Sequence, residues 1–140
     1  MIRVQADDFN AGAELERLRR ENNGQAGAMV SFTGLVRDMN EGDNITHLTL
    51  EHYPGMTEKA LEKIEQEANK RWELTASHII HRVGPLAPND NIVFVAAASR
   101  HRKQAFLACE FMIDTLKTNA PFWKKETLPG GERWVEPGTN

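Results

Sequence analysis

The chain has 140 residues, of which 40% are hydrophobic, so it is long enough to form one domain with an apolar core. Its formal net charge of −3 argues against a general nucleic-acid binder, because such domains are usually strongly basic. The single cysteine, Cys109, excludes an intramolecular disulfide, and the sequence has no Cys/His zinc pattern.

The N-terminal stretch MIRVQADDFN lacks the apolar run of a signal peptide. No segment approaches the roughly 18 consecutive apolar residues that a membrane-spanning helix needs. We therefore expect a soluble cytoplasmic protein that does not associate with membranes.

Strands and helices alternate in the first half of the chain. We predict strands at Ile2–Gln5, 28–36 and 45–53, and helices at 10–22 and 57–72, with Gly24 and Gly27 ending the first helix. Gly34 lies inside the second strand, where a glycine often marks a bulge or a close backbone approach. The polar segment 37–44 is a predicted turn, so the strands on either side of it are expected to form a long hairpin.

The second half continues without strict βαβ alternation. We predict strands at 77–83 and 91–98, separated by a turn at 84–90, and a helix at about 100–118 that Ser99 caps and Pro121 ends. Two short strands around Pro129-Gly130-Gly131 follow. This order predicts a single α+β domain over residues 1–140, with mixed or antiparallel strands and about three helices.

The start of the third predicted helix carries four cationic side chains in sequence: Arg100, His101, Arg102 and Lys103. Cations are unfavourable at the positive end of a helix dipole, whereas a bound phosphate or carboxylate would be held by the side chains and the free backbone N–H groups together. The segment therefore predicts an anion site. The alternative is that these long side chains extend into water and that solvent screens the penalty.

The stretch LKTNAPFWKKE places three lysines around an apolar corner. Lys117 suits the negative end of the third helix. Lys124 and Lys125 are neighbours on a predicted strand and should point to opposite faces. A lysine that is partly desolvated near another cation has a lowered pKa and becomes a base or nucleophile near neutral pH. The alternative is that the lysine stems cover the aromatic rings while the ammonium groups stay in water.

Other candidate groups carry less information. Arg37 ends a strand and suits bidentate phosphate contacts. His78 and His81 are three residues apart on a predicted strand, so they face opposite sides and do not form a metal site. Cys109 falls on the apolar stripe of a helix and is expected in the core.

Five motifs resemble the large, catalytic subunit of molybdopterin synthase. They are FTGLVR at 32–37, LEHYPGM at 50–56, SRHR at 99–102, LKTNAPFWKKE at 116–126 and ERWVE at 132–136. The resemblance extends from about residue 28 to 136, and the N-terminal segment matches loosely. It implies an α/β hammerhead-like fold.

The resemblance also implies a reaction. The family converts precursor Z, a cyclic pyranopterin monophosphate, to molybdopterin by adding two sulfurs. The sulfur is supplied by the C-terminal thiocarboxylate of a small ubiquitin-like subunit that ends in Gly-Gly. The implied assembly is a heterotetramer around a central dimer of large subunits. No metal or other cofactor is expected, since the partner supplies the sulfur.

The matching positions imply the site residues. Lys117 and Lys124 fall on the family's two catalytic lysines. The implied substrate-binding residues are Leu35, Val36, Arg37, His101, Arg102, Lys117, Lys124, Lys125 and Glu126.

Two alternatives to a sulfur-transferring enzyme are open. A non-catalytic module would bind a phosphorylated metabolite or a peptide carboxylate through the same cations. A single-stranded nucleic-acid binder would stack bases on Trp123 and Trp134, but the acidic net charge disfavours it.

Overall fold

Two four-stranded sheets, a two-stranded hairpin and three helices form the described part of the protein, residues 1–40 and 42–135 of a computed structural model. The helices are α1 (Ala11–Asn22), α2 (Met56–Arg71) and α3 (Arg102–Asn119). The strands are β1 (Ile2–Gln5), β2 (Ala28–Leu35), β3 (Met39–Asn40), β4 (Asp43–Asn44), β5 (His47–His52), β6 (Leu74–Arg82), β7 (Gly84–Leu86), β8 (Asn91–Ser99), β9 (Phe122–Leu128) and β10 (Gly131–Val135). The predicted α+β class is confirmed.

The first sheet has the strand order β1-β6-β8-β2, with β1 parallel to β6 and the other pairs antiparallel. Helix α1 packs on one face of this sheet, and α2 and α3 pack on the other. Strand β8 is therefore buried on both faces. Phe94 belongs to the cluster on the α1 side, and its neighbour Val95 belongs to the larger cluster on the α3 side. This double burial explains the continuous apolar run of β8.

The second sheet is antiparallel, in the order β10-β9-β5-β7. The chain passes from the first sheet to the second between β6 and β7. Gly84, at the start of β7, has a φ of +89°, which favours glycine at this change of direction. Leu48, Leu50 and Leu86 of the second sheet join the same core cluster as α2 and α3, so both sheets share one apolar interior.

The first two helices begin as the sequence predicts. Asn10 caps α1 by accepting a hydrogen bond from the Ala13 N–H at 2.9 Å. At the start of α2 the Glu58 carboxylate accepts one from the Gly55 N–H at 2.6 Å. Helix α1 ends at Asn22, the predicted last residue, and the residue that caps it is Asn23, which adopts a left-handed conformation with φ 42° before the first of the two predicted glycines.

The predicted hairpin between the strands at 28–36 and 45–53 is wrong. β2 pairs with β8, whereas β5 pairs with β7 and β9. Alternation identifies a strand and its inner face, but it does not identify the partner. The polar turn contains the short β3–β4 hairpin instead, and the predicted turn at 84–90 contains β7.

The predicted capping role of Ser99 is also wrong. Its hydroxyl donates a hydrogen bond to the Glu73 carbonyl at 2.8 Å and accepts one from the His101 N–H at 3.4 Å, but the N-cap of α3 is His101, which makes no side-chain cap. The two C-terminal strands and the end of α3 before Pro121 are confirmed. Residue 136, predicted at the end of the last strand, lies outside the described residues.

Candidate active site

A cavity of about 580 Å³ lies where the end of α3 meets both sheets. β2 and the segment after it form one wall, and β9 and the last turns of α3 form another. Apolar side chains make up much of the lining, including Phe32, Ile92 and Leu116. Six predicted site residues line this cavity: Leu35, Val36, Arg37, Lys117, Lys124 and Glu126.

The two predicted catalytic lysines reach the cavity from different elements. Lys117 lies in the last turn of α3, and Lys124 lies on β9. Strand alternation places Phe122, Lys124 and Glu126 on the cavity face of β9. The close approach of the two lysines could not be read from their spacing in the chain, because it depends on the turn through Ala120.

Both lysines have lowered pKa values. Burial is the main cause for Lys124, and the charges of Lys117 and Arg37 add to it, which together lower its pKa to about 8. Burial and the charge of Arg37 also lower the pKa of Lys117. Carboxylates oppose both shifts more weakly, Glu126 for Lys124 and Asp114 for Lys117. Lys124 is therefore able to exchange a proton near neutral pH.

Glu126 is held in place by hydrogen bonds at the cavity wall. Its carboxylate is buried and accepts hydrogen bonds from Arg133 Nε at 2.8 Å and from Asn40 Nδ2 at 2.9 Å. Arg133 also contacts Asp43 at 2.8 Å. These contacts join β9, β10 and the β3–β4 hairpin at the cavity wall.

Gly34 shapes the opposite wall. The pairing of β2 with β8 shifts register between Gly34 and Leu35, which is the predicted bulge. A Cβ atom at Gly34 would lie 2.8 Å from Val93 Cγ1, so a side chain, and not a backbone, closely approaches this glycine. The bulge precedes Arg37, whose guanidinium lies 3.4 Å from Asn40 Oδ1.

Three predicted binding residues lie outside this cavity. His101 and Arg102 line a separate depression at the start of α3, together with Gly27, Arg100 and Lys103. The rise of an α-helix separates them from Lys117 by roughly 22 Å. Lys125 points away from Lys124, as predicted, and its Nζ lies 3.3 Å from Glu132 and 5.8 Å from the Trp134 ring centroid.

His81 and Asn40 also line the cavity, although neither was predicted from the sequence as a site residue. Strand alternation correctly placed His78 and His81 on opposite faces of β6. His78 contacts Glu21 of α1, whereas His81 stacks on Phe122 in the cavity wall. That alternation was the available signal, but it did not show which face of β6 the cavity would border.

The described residues show neither a metal-binding cluster nor a membrane-spanning helix. Residues 1–40 and 42–135 contain no cluster of three or more His, Cys, Asp or Glu side chains arranged to hold a metal ion. In the same residues no helix is long and apolar enough to cross a membrane. Cys109 is buried in the core as predicted, and burial raises the pKa of its thiol to about 11.

The fold and the cavity define an α+β protein with a paired-lysine, anion-attracting site. A family model described as "MoaE protein" matches residues 4–119. The chain belongs to the MoaE family.

Relatives named molybdopterin synthase catalytic subunit are similar over nearly the whole chain. The Ralstonia nicotianae protein is 56% identical over 135 residues, which are 96% of this chain and 76% of the relative. The Escherichia coli K12 protein is 53% identical over 135 residues, or 96% and 89%. The prediction that the chain is a molybdopterin synthase catalytic subunit, and thus part of an enzyme, is confirmed.

Solved structures agree with the fold. A molybdopterin biosynthesis MoaE protein from Burkholderia ambifaria has a TM-score of 0.85 at 53% identity, covering 100% of this chain and 90% of that chain. Molybdopterin synthase from Staphylococcus aureus has a TM-score of 0.87 at 36% identity, covering 96% of each. A complex of subunits 1 and 2 of molybdopterin-converting factor from Helicobacter pylori has a TM-score of 0.81 at 20% identity, which shows a shared fold.

Proposed function

We propose that the chain acts as a sulfurtransferase, converting precursor Z to molybdopterin with sulfur from the thiocarboxylate of a small ubiquitin-like subunit. The observation that carries this proposal is the meeting of Lys117, Lys124 and Arg37 in one cavity where both lysine pKa values are lowered. A cavity of about 580 Å³ is large enough for a small organic substrate.

The cations have two roles in this proposal. Arg37 binds the phosphate of the substrate, for which a guanidinium is well suited. The positive potential also attracts the thiocarboxylate of the partner's tail and keeps its sulfur ionised. Cys109 is buried in the core with a raised pKa, so an external sulfur donor fits the chemistry of the chain.

Lys117 and Lys124 act on the reacting groups. We assign them the transfer of protons and the stabilisation of oxyanions as sulfur adds and oxygen leaves. The lowered pKa of Lys124, about 8, suits proton exchange, and Phe122 lines the cavity from the same face of β9. The pH dependence of the transfer rate decides which lysine gives and which takes the proton at each step.

The binding roles of His101, Arg102 and Lys125 remain part of the proposal although they lie outside the cavity of their own chain. With His101 and Arg102 roughly 22 Å from Lys117 along α3, contact with the same small substrate requires a second subunit. Lys125 lies on the outer face of β9, where it is available to the partner's tail.

A single-turnover assay tests the proposal. The purified chain is mixed with thiocarboxylated small subunit and precursor Z, and dithiolene formation is followed for wild type, Lys117→Ala and Lys124→Ala. We expect product from wild type and a rate lower by about 10²–10⁴-fold in each variant, because each loses a proton-transfer group. Lys63→Ala removes an exposed lysine from α2 and should retain the wild-type rate.

The non-catalytic module makes a different prediction. For such a module, wild type binds the pterin but yields no product. The two cavity variants weaken binding without any change in turnover.

A mixed dimer then tests the role of a second subunit. If Arg102→Ala and Lys124→Ala chains restore activity when they are combined, the two residues act on one substrate from different copies.

A further inference from the structure

His81 is a cavity residue that the family resemblance does not include. It lies on β6, is only 3% exposed, and borders the same cavity as Lys117 and Lys124. Buried histidines usually have both ring nitrogens engaged, so the two nitrogens of this ring need to be considered separately.

The surroundings of the ring fix which nitrogen carries hydrogen. Nδ1 lies 2.8 Å from the backbone carbonyl oxygen of Arg82. A carbonyl can only accept, so Nδ1 must be the donor. The Phe122 ring is stacked on the imidazole at a centroid distance of 3.7 Å and an interplanar angle of 15°, which holds the plane of the ring. Nε2 has no hydrogen-bond partner among the described residues.

Burial keeps the His81 ring neutral, and neighbouring groups add to this effect. Lys124 faces it from β9, Lys117 from α3 and His52 from β5. Burial contributes most, and together these groups lower the pKa of His81 to about 3. At neutral pH, Nε2 is therefore a lone-pair acceptor.

Most of the charged side chains that line the cavity are donors, and Asp114, an acceptor that also lines it, is exposed to solvent. The ammonium groups of the two lysines and the guanidinium of Arg37 cannot accept hydrogen bonds. Glu126 can accept, but its two oxygens are engaged by Arg133 and Asn40. A substrate that carries N–H groups as well as a phosphate needs an acceptor here, because an unpaired buried donor weakens binding.

We propose that His81 is a substrate-binding residue whose Nε2 accepts a hydrogen bond from an N–H or O–H group of the bound substrate. This inference rests on the proposed function, in which the substrate is a pyranopterin, a ring system with several N–H groups. His81 and the cations then have complementary roles. The cations bind the anionic part of the substrate, and His81 binds the edge of the ring system that carries N–H groups.

Two substitutions separate the acceptor role from the structural role. His81→Asn places an amide nitrogen near the Nδ1 position, so the bond to the Arg82 carbonyl is kept and the acceptor is lost. His81→Gln places its amide near the Nε2 position, so an acceptor is kept and the Arg82 bond is lost. The dissociation constant of precursor Z is measured by calorimetry for both, and thermal unfolding followed by circular dichroism confirms that both are folded.

We expect His81→Asn to weaken the binding of precursor Z by about tenfold or more, and His81→Gln to weaken it by less. A merely structural histidine would give the reverse order or equal losses, and either result would overturn the inference. Wild-type affinity in His81→Asn would overturn it as well.

Nitrogen NMR of the labelled imidazole gives a second readout that does not depend on turnover. Without precursor Z, we expect Nδ1 to be protonated and Nε2 to be unprotonated. When precursor Z is added, we expect the Nε2 resonance to shift toward a hydrogen-bonded value. A ring with its hydrogen on Nε2 refutes the inference. Failure of wild type to bind precursor Z would overturn the proposed function too, whereas normal wild-type binding with an unaffected Asn variant removes the inference alone.

Discussion

Arg133 Nε donates a hydrogen bond to the buried carboxylate of Glu126 at 2.8 Å, and Asn40 Nδ2 donates to the other oxygen at 2.9 Å. Glu126 shares the cavity face of β9 with Lys124. Burial and the charges of Lys117 and Arg37 lower the pKa of Lys124, and the charge of Glu126 opposes them as the weakest of these effects. We expect the pKa of Lys124 to depend on how strongly Arg133 holds the Glu126 carboxylate.

Replacing Arg133 should raise the pKa of Lys124. In Arg133→Ala the carboxylate of Glu126 loses a cationic partner and acts more strongly on Lys124, which favours the ammonium form. The variant should also be less stable than wild type, because a buried acceptor loses its donor. NMR titration of lysine methyl probes and urea denaturation measure the two effects.

Arg3→Ala is the matched control for this experiment. It breaks the ion pair between Arg3 and the buried Glu14, which lies on the α1 side of the first sheet. We expect a loss of stability without any change in the Lys124 titration. If the pKa of Lys124 is the same in Arg133→Ala as in wild type, Glu126 does not transmit an effect of Arg133 to Lys124.

Lys124 should make the protein less stable at neutral pH than an apolar side chain would. Its folded pKa of about 8 lies below the ordinary value of 10.5, so the folded state disfavours the charged form. The destabilisation is complete below pH 8, declines as the pH rises from 8 to about 10.5, and is absent above that range, where lysine is neutral in both states. Lys124→Met should therefore raise the unfolding free energy by about 2–3 kcal/mol at pH 7, and the gain should vanish near pH 10.5.

Urea denaturation at several pH values measures this dependence. Lys63→Met, at an exposed position of α2, controls for the general effect of removing a lysine and should show no comparable change with pH. A gain that is constant from pH 7 to 10.5 would mean that better packing, and not the lost charge, stabilises Lys124→Met.

The elements that form the site were largely predictable, because local rules determine them. Dipole and proline rules place Lys117 at the end of α3, and alternation places Lys124 and Lys125 on opposite faces of β9. Gly34 signalled its bulge because a glycine has no side chain to pack and is unusual inside a regular strand.

The arrangement of these elements was not predictable in the same way. Strand pairing joins residues far apart in sequence, such as Gly34 of β2 and Val93 of β8, and no local pattern encodes the partner. His81 borders the cavity because Phe122 of β9 packs against it, and this contact between distant strands is not encoded in the local sequence. The cations at the start of α3 looked like part of one site, but the length of the helix separates them from Lys117.

The rate of sulfur transfer should change slope near pH 8. Lys124 loses its proton there, so a rate that rises through pH 8 identifies it as a base, and a rate that falls identifies it as an acid. Single-turnover rates between pH 6 and 10 give the profile. Lys124→Arg keeps the charge throughout this range and should remove the inflection. If the same inflection persists in Lys124→Arg, another group controls the rate.

Gly34→Ala tests whether the bulge shapes the cavity. A Cβ atom at this position would lie 2.8 Å from Val93 Cγ1 and 3.3 Å from Phe32 Cε1. Val93 is buried and borders the cavity, so it cannot move without disturbing the wall. We expect a loss of about 1–3 kcal/mol of unfolding free energy, together with weaker binding of precursor Z, because Arg37 follows the displaced strand.

Gly130→Ala is the matched control, since no atom lies within 4 Å of its added Cβ. It should change the unfolding free energy by less than about 0.5 kcal/mol and leave the pterin affinity unchanged. Urea denaturation and calorimetric titration compare the two variants. If Gly34→Ala loses stability but binds precursor Z normally, the bulge serves the packing of β2 on β8 and does not position the cations of the cavity.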